Sequence, residues 1–140
     1  MAAVLRSIAA VVAGTVVALV LVVAVELFSA VVHPVPPDFG GTMDEMCQHV
    51  ARYPHWVLAV VVPAWAVAAA ASTWIAGRLG NPGCALFVGA LLVAALVFNI
   101  SMLPYPLWFK IASVIAIPAA VLAGIYWARG GAAAALKVAE

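Results

Sequence analysis

Charge is what this sequence has least of. Six lysines and arginines and five aspartates and glutamates are the only formally charged side chains in 140 residues, and the net charge is +1 with the histidines neutral. No basic cluster is available to displace counterions from a phosphate backbone, so nucleic acid is not an expected partner. Cysteine is nearly absent too, and two residues make no disulfide framework. Nor does the chain contain an HExxH pair, a glycine-rich phosphate loop, paired carboxylates flanking a cleft, or a serine with a suitable base. No enzyme class is indicated by its signature, and no cofactor is expected.

What the chain does contain is apolar. Hydrophobic residues make up 69% of it and the mean hydropathy is +1.24, more apolar surface than one soluble core of this size can hide. Four runs stand out between charges, prolines or glycines: Ser7 to Val32, Trp56 to Gly77, Cys84 to Leu103 and Leu107 to Ala128. Each reaches the ~20 residues that a helix needs to cross hydrocarbon. None shows the polar and apolar alternation of a membrane barrel, and backbone groups inside a bilayer must be satisfied internally, so the runs predict helices. The expected fold is all-α, a four-helix transmembrane bundle forming one integral membrane domain over 1–140, with a short amphipathic helix on the outer surface between the first two spans. The first run is longer than the apolar core of a secretory signal, and LFSA is a poor cleavage sequence, so it is expected to be retained.

Arg6, Arg78, Arg129 and Lys137 fall on one side of a four-pass chain, and Arg52 and Lys110 on the other. The positive-inside rule then places both termini in the cytoplasm and the loop 33–55 outside. Tyr53, Trp56, Tyr105 and Trp108 suit the outer boundary, and Trp74, Tyr126 and Trp127 the inner one. Cys47 and Cys84 are thus expected on opposite sides. Small residues at every fourth position mark close helix contacts: Ala112, Ala116, Ala120 and Gly124, with Ala10 and Gly14, and Ala85 and Gly89, repeating the pattern. Pro63 and Pro118 fall inside spans, each removing a backbone donor, and a bend is expected at each.

The stretch GTMDEMCQHVARYPHW, from Gly41 to Trp56, gathers sulfur and imidazole. Thr42 and Glu45 match a capping box that starts a helix at Met43, and Pro54 ends it near Tyr53. On that helix Met43, Met46, Cys47 and Val50 form one apolar stripe, which explains the sulfur atoms by burial against the bundle or the lipid interface. The alternative is a Cu(I) site of Met43, Met46, Cys47 and a histidine, His49 being the local candidate. His49 falls off the stripe and pairs with Glu45 at i,i+4, so His33 or His55 would have to complete such a set.

The stronger signal is Glu26, an acidic residue inside a spanning helix, which is costly there and ordinarily faces a partner or a function. Ser29 and His33 share its side of the helix. Asn99 and Lys110 fall at a similar depth below the outer surface. One account is a structural cluster in which Glu26 accepts from Asn99, Lys110 or Ser113, although Lys110 also suits snorkelling to the headgroups. The other is a protonated Glu26 whose proton is coupled to a ligand or a conformational change.

The segment VELFSAVVHPVPPDFGG, residues 25–41, resembles a group of small, uncharacterised bacterial four-helix membrane proteins in which a first-helix glutamate precedes an aromatic and proline-rich outer turn. The likeness continues through Pro63-Ala64-Trp65 and the alanine-rich second run to Pro106–Phe109, and so covers most of the chain. Members often carry a histidine four residues after the glutamate. Here Ala30 stands at that position, which puts a Glu-His ligand pair in doubt and leaves His33 as the nearby imidazole. The resemblance implies the fold and a bacterial inner membrane, and no reaction.

Three functional readings follow. The leading one is a non-enzymatic accessory, assembly or structural membrane component whose outer loop and small-residue faces meet another membrane protein or a second copy within the lipid bilayer. The alternative is a small oligomeric proton- or cation-coupled transporter using Glu26, which lies nearer the outer surface than midplane transport sites do. The enzymatic reading is a lipid-headgroup hydrolase or transferase using His33, His49 or His55.

Overall fold

A backbone in hydrocarbon has no water to bond, and the apolar runs answer this by closing their hydrogen bonds within helices. The computed structural model describes residues 1–138, with side chains described through Gly130, and its elements are α1 (Ala2–Val32), α2 (Met43–Ala51), α3 (His55–Leu79), α4 (Pro82–Met102) and α5 (Leu107–Val138). Four of these, α1, α3, α4 and α5, are long and apolar enough to cross a membrane. α1 begins before Ser7 and α5 continues past Ala128, because a helix propagates through flanking alanines and arginines that a hydropathy pattern excludes. α2 closes at Ala51. The amides of Arg52 and Tyr53 then bond the carbonyls of His49 and Val50, three residues back, tightening the chain ahead of Pro54. The expected positive charge at Lys137 lies outside the described side chains.

The ends are pinned by specific caps. At the end remote from α2 the Asn81 side chain accepts from the Cys84 amide at 3.1 Å and Pro82 occupies the first turn of α4, which turns the chain within a few residues. Arg6 Nε donates to the Leu79 carbonyl at 2.7 Å, placing a cation on the carbonyl end of α3, and Cys84 Sγ donates to the Ser7 carbonyl at 3.8 Å. At the other end Cys47 Sγ donates to the Met102 carbonyl at 4.0 Å. The two free cysteines therefore lie at opposite ends of α4.

α3 is the central helix. It packs on α1, α4 and α5, whereas no Cα of α1 comes within 8 Å of α5 among the described residues. Pro63 and Pro118 lie inside continuous helices, Pro63 on an exposed face of α3. The close approaches use missing side chains. A Cβ at Gly14 of α1 would lie 2.8 Å from Ala76 Cβ and 2.9 Å from the Ser72 carbonyl oxygen of α3, and one at Gly124 of α5 would overlap the Thr73 hydroxyl and the Ala70 carbonyl. Ser72 and Thr73, both fully buried, donate to the Ala69 carbonyl at 3.1 and 2.7 Å, so these hydroxyls enter the contact already satisfied by their own helix. Large apolar side chains such as Leu19, Val20, Val23 and Leu27 of α1 are left exposed on the outside of the bundle, as lipid contact requires.

Replacing Gly124 with valine should lower stability by about 1–3 kcal/mol through overpacking against α3. The measurement is the thermal unfolding midpoint in detergent, with Gly130→Ala as the control, since nothing lies within 4 Å of a Cβ there. Equal midpoints for the two variants would show that the α3–α5 approach is not limited by Gly124.

Candidate functional site

The polar groups of the bundle collect near the end that carries α2. Between α1, α3 and α4, with Ile117 of α5 at its back, is a cavity of ≈ 170 Å³ lined by Val22, Glu26, Trp65, Ala68, Ala69, Leu92, Ala95, Leu96, Asn99 and Ile117. Its side between α1 and α4 is open: Glu26 and Ala95 are exposed, while Ala69 and Leu96 on the far wall are buried. Two of the lining residues each carry a buried polar atom with no hydrogen-bond partner, Trp65 Nε1 and Asn99 Oδ1. Such atoms are rare in folded proteins, and each costs about 1–3 kcal/mol when left unmet.

Two tyrosines lie near this end of the bundle. Tyr105, in the turn between α4 and α5, packs against the buried cluster that includes Leu96 and Ile117 and lies 4.7 Å from the Phe109 ring. Tyr53, which follows α2, lies 4.6 Å from the His33 ring. Burial, followed by the nearby Glu26 charge, pushes both phenols above their usual range, so both remain neutral donors at physiological pH.

Above the tyrosines sits the cap formed by α2 and its flanking loop. Glu45 and Thr42 form the reciprocal capping box, with the Glu45 carboxylate accepting from the Thr42 amide at 3.0 Å and Thr42 Oγ1 accepting from the Glu45 amide at 3.3 Å. Hydrogen bonding to Thr42 holds the Glu45 carboxyl below its usual range. The His33 ring stacks on His49 at 4.4 Å between centroids and lies 4.6 Å from Tyr53. His33 Nε2 is 3.3 Å from the His49 carbonyl, and since a carbonyl only accepts, the proton sits on Nε2. This stack locks the end of α1 to α2. Beside it is a polar recess of ≈ 340 Å³ whose lining includes His33, Asp38, Glu45, Gln48, His49 and Arg52.

The residues singled out from the sequence thus separate into groups. Glu26 and Asn99 line one cavity, and Ser29 is buried outside its lining. His33 belongs to the cap. Lys110 lies partly buried on α5, whose backbone does not approach α1, and Ser113 is fully buried with its hydroxyl unpartnered, so neither supplies a bond to Glu26. On α2, Met43 is exposed, Met46 and Cys47 are partly buried, the Cys47 thiol turns to the Met102 carbonyl, and His49 turns to His33. No group of three or more His, Cys, Asp or Glu suited to a metal occurs among the described residues. His49 is more buried than the stripe residue Met43, because the aromatic contacts with His33, Tyr53 and Phe39 outweigh the position of its helix face. Trp65, Tyr53 and Tyr105 were legible only as boundary or packing aromatics. Trp65 alone carried a usable signal, an indole N–H in the middle of a span.

The cap should respond to pH through His49. Burial first, then the His33 and Arg52 charges, lower its proton affinity below the ordinary value of 6.5. Between that value and the lowered one the unfolded segment binds more protons than the folded one, so cap stability is full above roughly pH 6.5 and declines as pH falls below it. Amide exchange over residues 43–53, corrected for intrinsic rates, should show this decline between pH 7 and 5 in the wild type and not in His49→Phe. An identical decline in the variant would remove His49 as its source.

No protein-family model matches this chain, and no curated protein or solved structure is significantly similar to it.

Proposed function

We propose that the protein is a non-enzymatic accessory or assembly component of a bacterial inner membrane, with both termini cytoplasmic and the loop 33–55 outside, where its cap docks a second membrane protein. The carrying observation is that the outer loop is built as a fixed surface. A capping box starts α2, an imidazole stack ties it to α1, a thiol contact ties it to α4, and prolines stiffen the approach. The adjoining recess carries Asp38 and Glu45 on one hand and Arg52 on the other, a mixed-charge surface suited to a specific polar contact. Orientation is supported by the arginines: Arg6 and Arg78 sit at the end of α3 remote from the cap and Arg129 near the matching end of α5.

A second reading, a small oligomeric proton- or cation-coupled transporter, is favoured by one feature: Glu26 lines a cavity.

The docking reading is tested in intact cells. Val35, exposed between prolines at the cap, is changed to cysteine in a chain carrying Cys47→Ala and Cys84→Ala, and an impermeant thiol crosslinker is applied. A covalent adduct with one protein at one-to-one stoichiometry is expected, reduced about tenfold by Arg52→Glu, the loss associated with ~1.4 kcal/mol of interface energy. Reaction only after permeabilisation would reverse the orientation, and adducts indifferent to Arg52→Glu would defeat docking at the cap.

A further inference from the structure

Two opposite charges lie within the spans at the end that carries α2. Glu26 is six residues before the end of α1 and Lys110 three after the start of α5, about 9 and 5 Å along their helices. Packing puts them in one layer: Val25 and Phe28, on either side of Glu26 in sequence, and Phe109, which precedes Lys110, all join the cluster around Val57, Leu58, Val61 and Val62 of α3. Yet no Cα of α1 comes within 8 Å of α5 among the described residues.

The rest of the described chain offers neither charge a counterpart. Asp44 accepts from Gln48, Glu45 closes the capping box, and Asp38 belongs to the polar recess with Arg52. Arg6, Arg78 and Arg129 are at the far end of the bundle. Both groups can be reached from outside. Glu26 is exposed, and so are Val23 and Ala30, at i−3 and i+4 on its face. Lys110 is partly exposed, and Leu107 and Val114, at i−3 and i+4 on its face, are exposed. Each charge therefore borders an apolar stripe that points away from the bundle.

A charge in a span is costly and is ordinarily paired. A foreign helix bearing one cation would answer Glu26 and leave Lys110, and an anionic headgroup would answer Lys110 and leave Glu26. A second copy of this chain answers both. Rotation about the bilayer normal leaves every residue at its own depth, so groups that are level within one chain are level between copies.

We propose that the spans associate with those of a second copy through an ion pair between Glu26 of α1 on one chain and Lys110 of α5 on the other, with Val23, Ala30, Leu107 and Val114 packing around it. This contact lies in the spans and the docking surface described above lies on the cap, so either assignment stands without the other.

The test is charge reversal with mixing. Two differently tagged copies of the whole chain are reconstituted together in phosphatidylcholine vesicles and extracted mildly, and the recovery of one tag on the other is measured. Wild-type copies should recover one another. Glu26→Lys copies should recover each other about tenfold less or worse, as should Lys110→Glu copies, because each contact then joins like charges. Mixing Glu26→Lys copies with Lys110→Glu copies should restore recovery, since every contact between them again joins a lysine to a glutamate. An ion pair within one chain would be repaired by placing both reversals on that chain and not by mixing. A second measurement spares the charges' effect on folding: in chains carrying Cys47→Ala and Cys84→Ala, a short bismaleimide should join Glu26→Cys on one tag to Lys110→Cys on the other, and should not join Glu26→Cys to itself. Wild-type copies that fail to recover one another would overturn the proposal. So would recovery indifferent to Lys110→Glu, which would return that lysine to the headgroups, or a mixture that neither restores recovery nor gives the crosslink.

Discussion

The bundle depends on how closely other helices can approach α3. In lipid there is no hydrophobic gain in hiding one aliphatic surface from another, so association rests on contact distance and on the few polar bonds that shorten it. At Gly14 and Gly124 the backbones of α1 and α5 reach α3 on two flanks, against Ala76 and Ser72 on one side and Ala70 and Thr73 on the other. Because α3 is the shared surface, α1 and α5 need not meet, and a wedge of space remains where α1 leans toward α4. The cavity beside Glu26 occupies that wedge. The geometry that makes the core tight near the glycines thus leaves it open one to three turns away.

The end that carries α2 is held by different forces. There the contacts are aromatic and hydrogen-bonded: the His33 and His49 stack, the bond from His33 to the His49 carbonyl, and the Thr42 capping box. Each is short-ranged and directional, so the cap is defined by orientation where the spans are defined by proximity. The two regimes meet at Trp65, which packs edge-on against Phe109 at 5.7 Å and also lines the cavity.

Sequence pattern and structure agree best where one force dominates. Hydropathy alone marks the four spans, and the Thr42 to Glu45 spacing alone marks the start of α2. Depth along a helix puts Glu26, Asn99 and Lys110 in one layer, and Glu26 and Asn99 line one cavity, but depth says nothing about which helices are neighbours, and the backbone of α5, which carries Lys110, does not approach α1. The aromatic members of the site were hidden for a related reason. Tyr53 and Tyr105 occupy positions where interfacial tyrosines are ordinary, and only the three-dimensional return of both turns over Glu26 distinguishes them from a boundary belt.

The peripheral place of α1 also bears on the order in which the chain is made. Among the spans it is first from the ribosome, and the surfaces of α3 and α4 that later flank Glu26 are synthesised after it. The carboxyl therefore meets the translocation machinery and the bilayer without its eventual surroundings. A charged residue within a spanning helix disfavours insertion, most at its centre and less toward its ends, and each leucine, isoleucine or valine offsets a few tenths of a kcal/mol. α1 is the most apolar of the four spans, with a hydropathy of 3.0 over its best window against 1.8 for α3, although only 22% of that window is buried in the finished bundle. The excess of valine and leucine serves little packing purpose. It equips a helix that carries a glutamate to partition unaided during biogenesis.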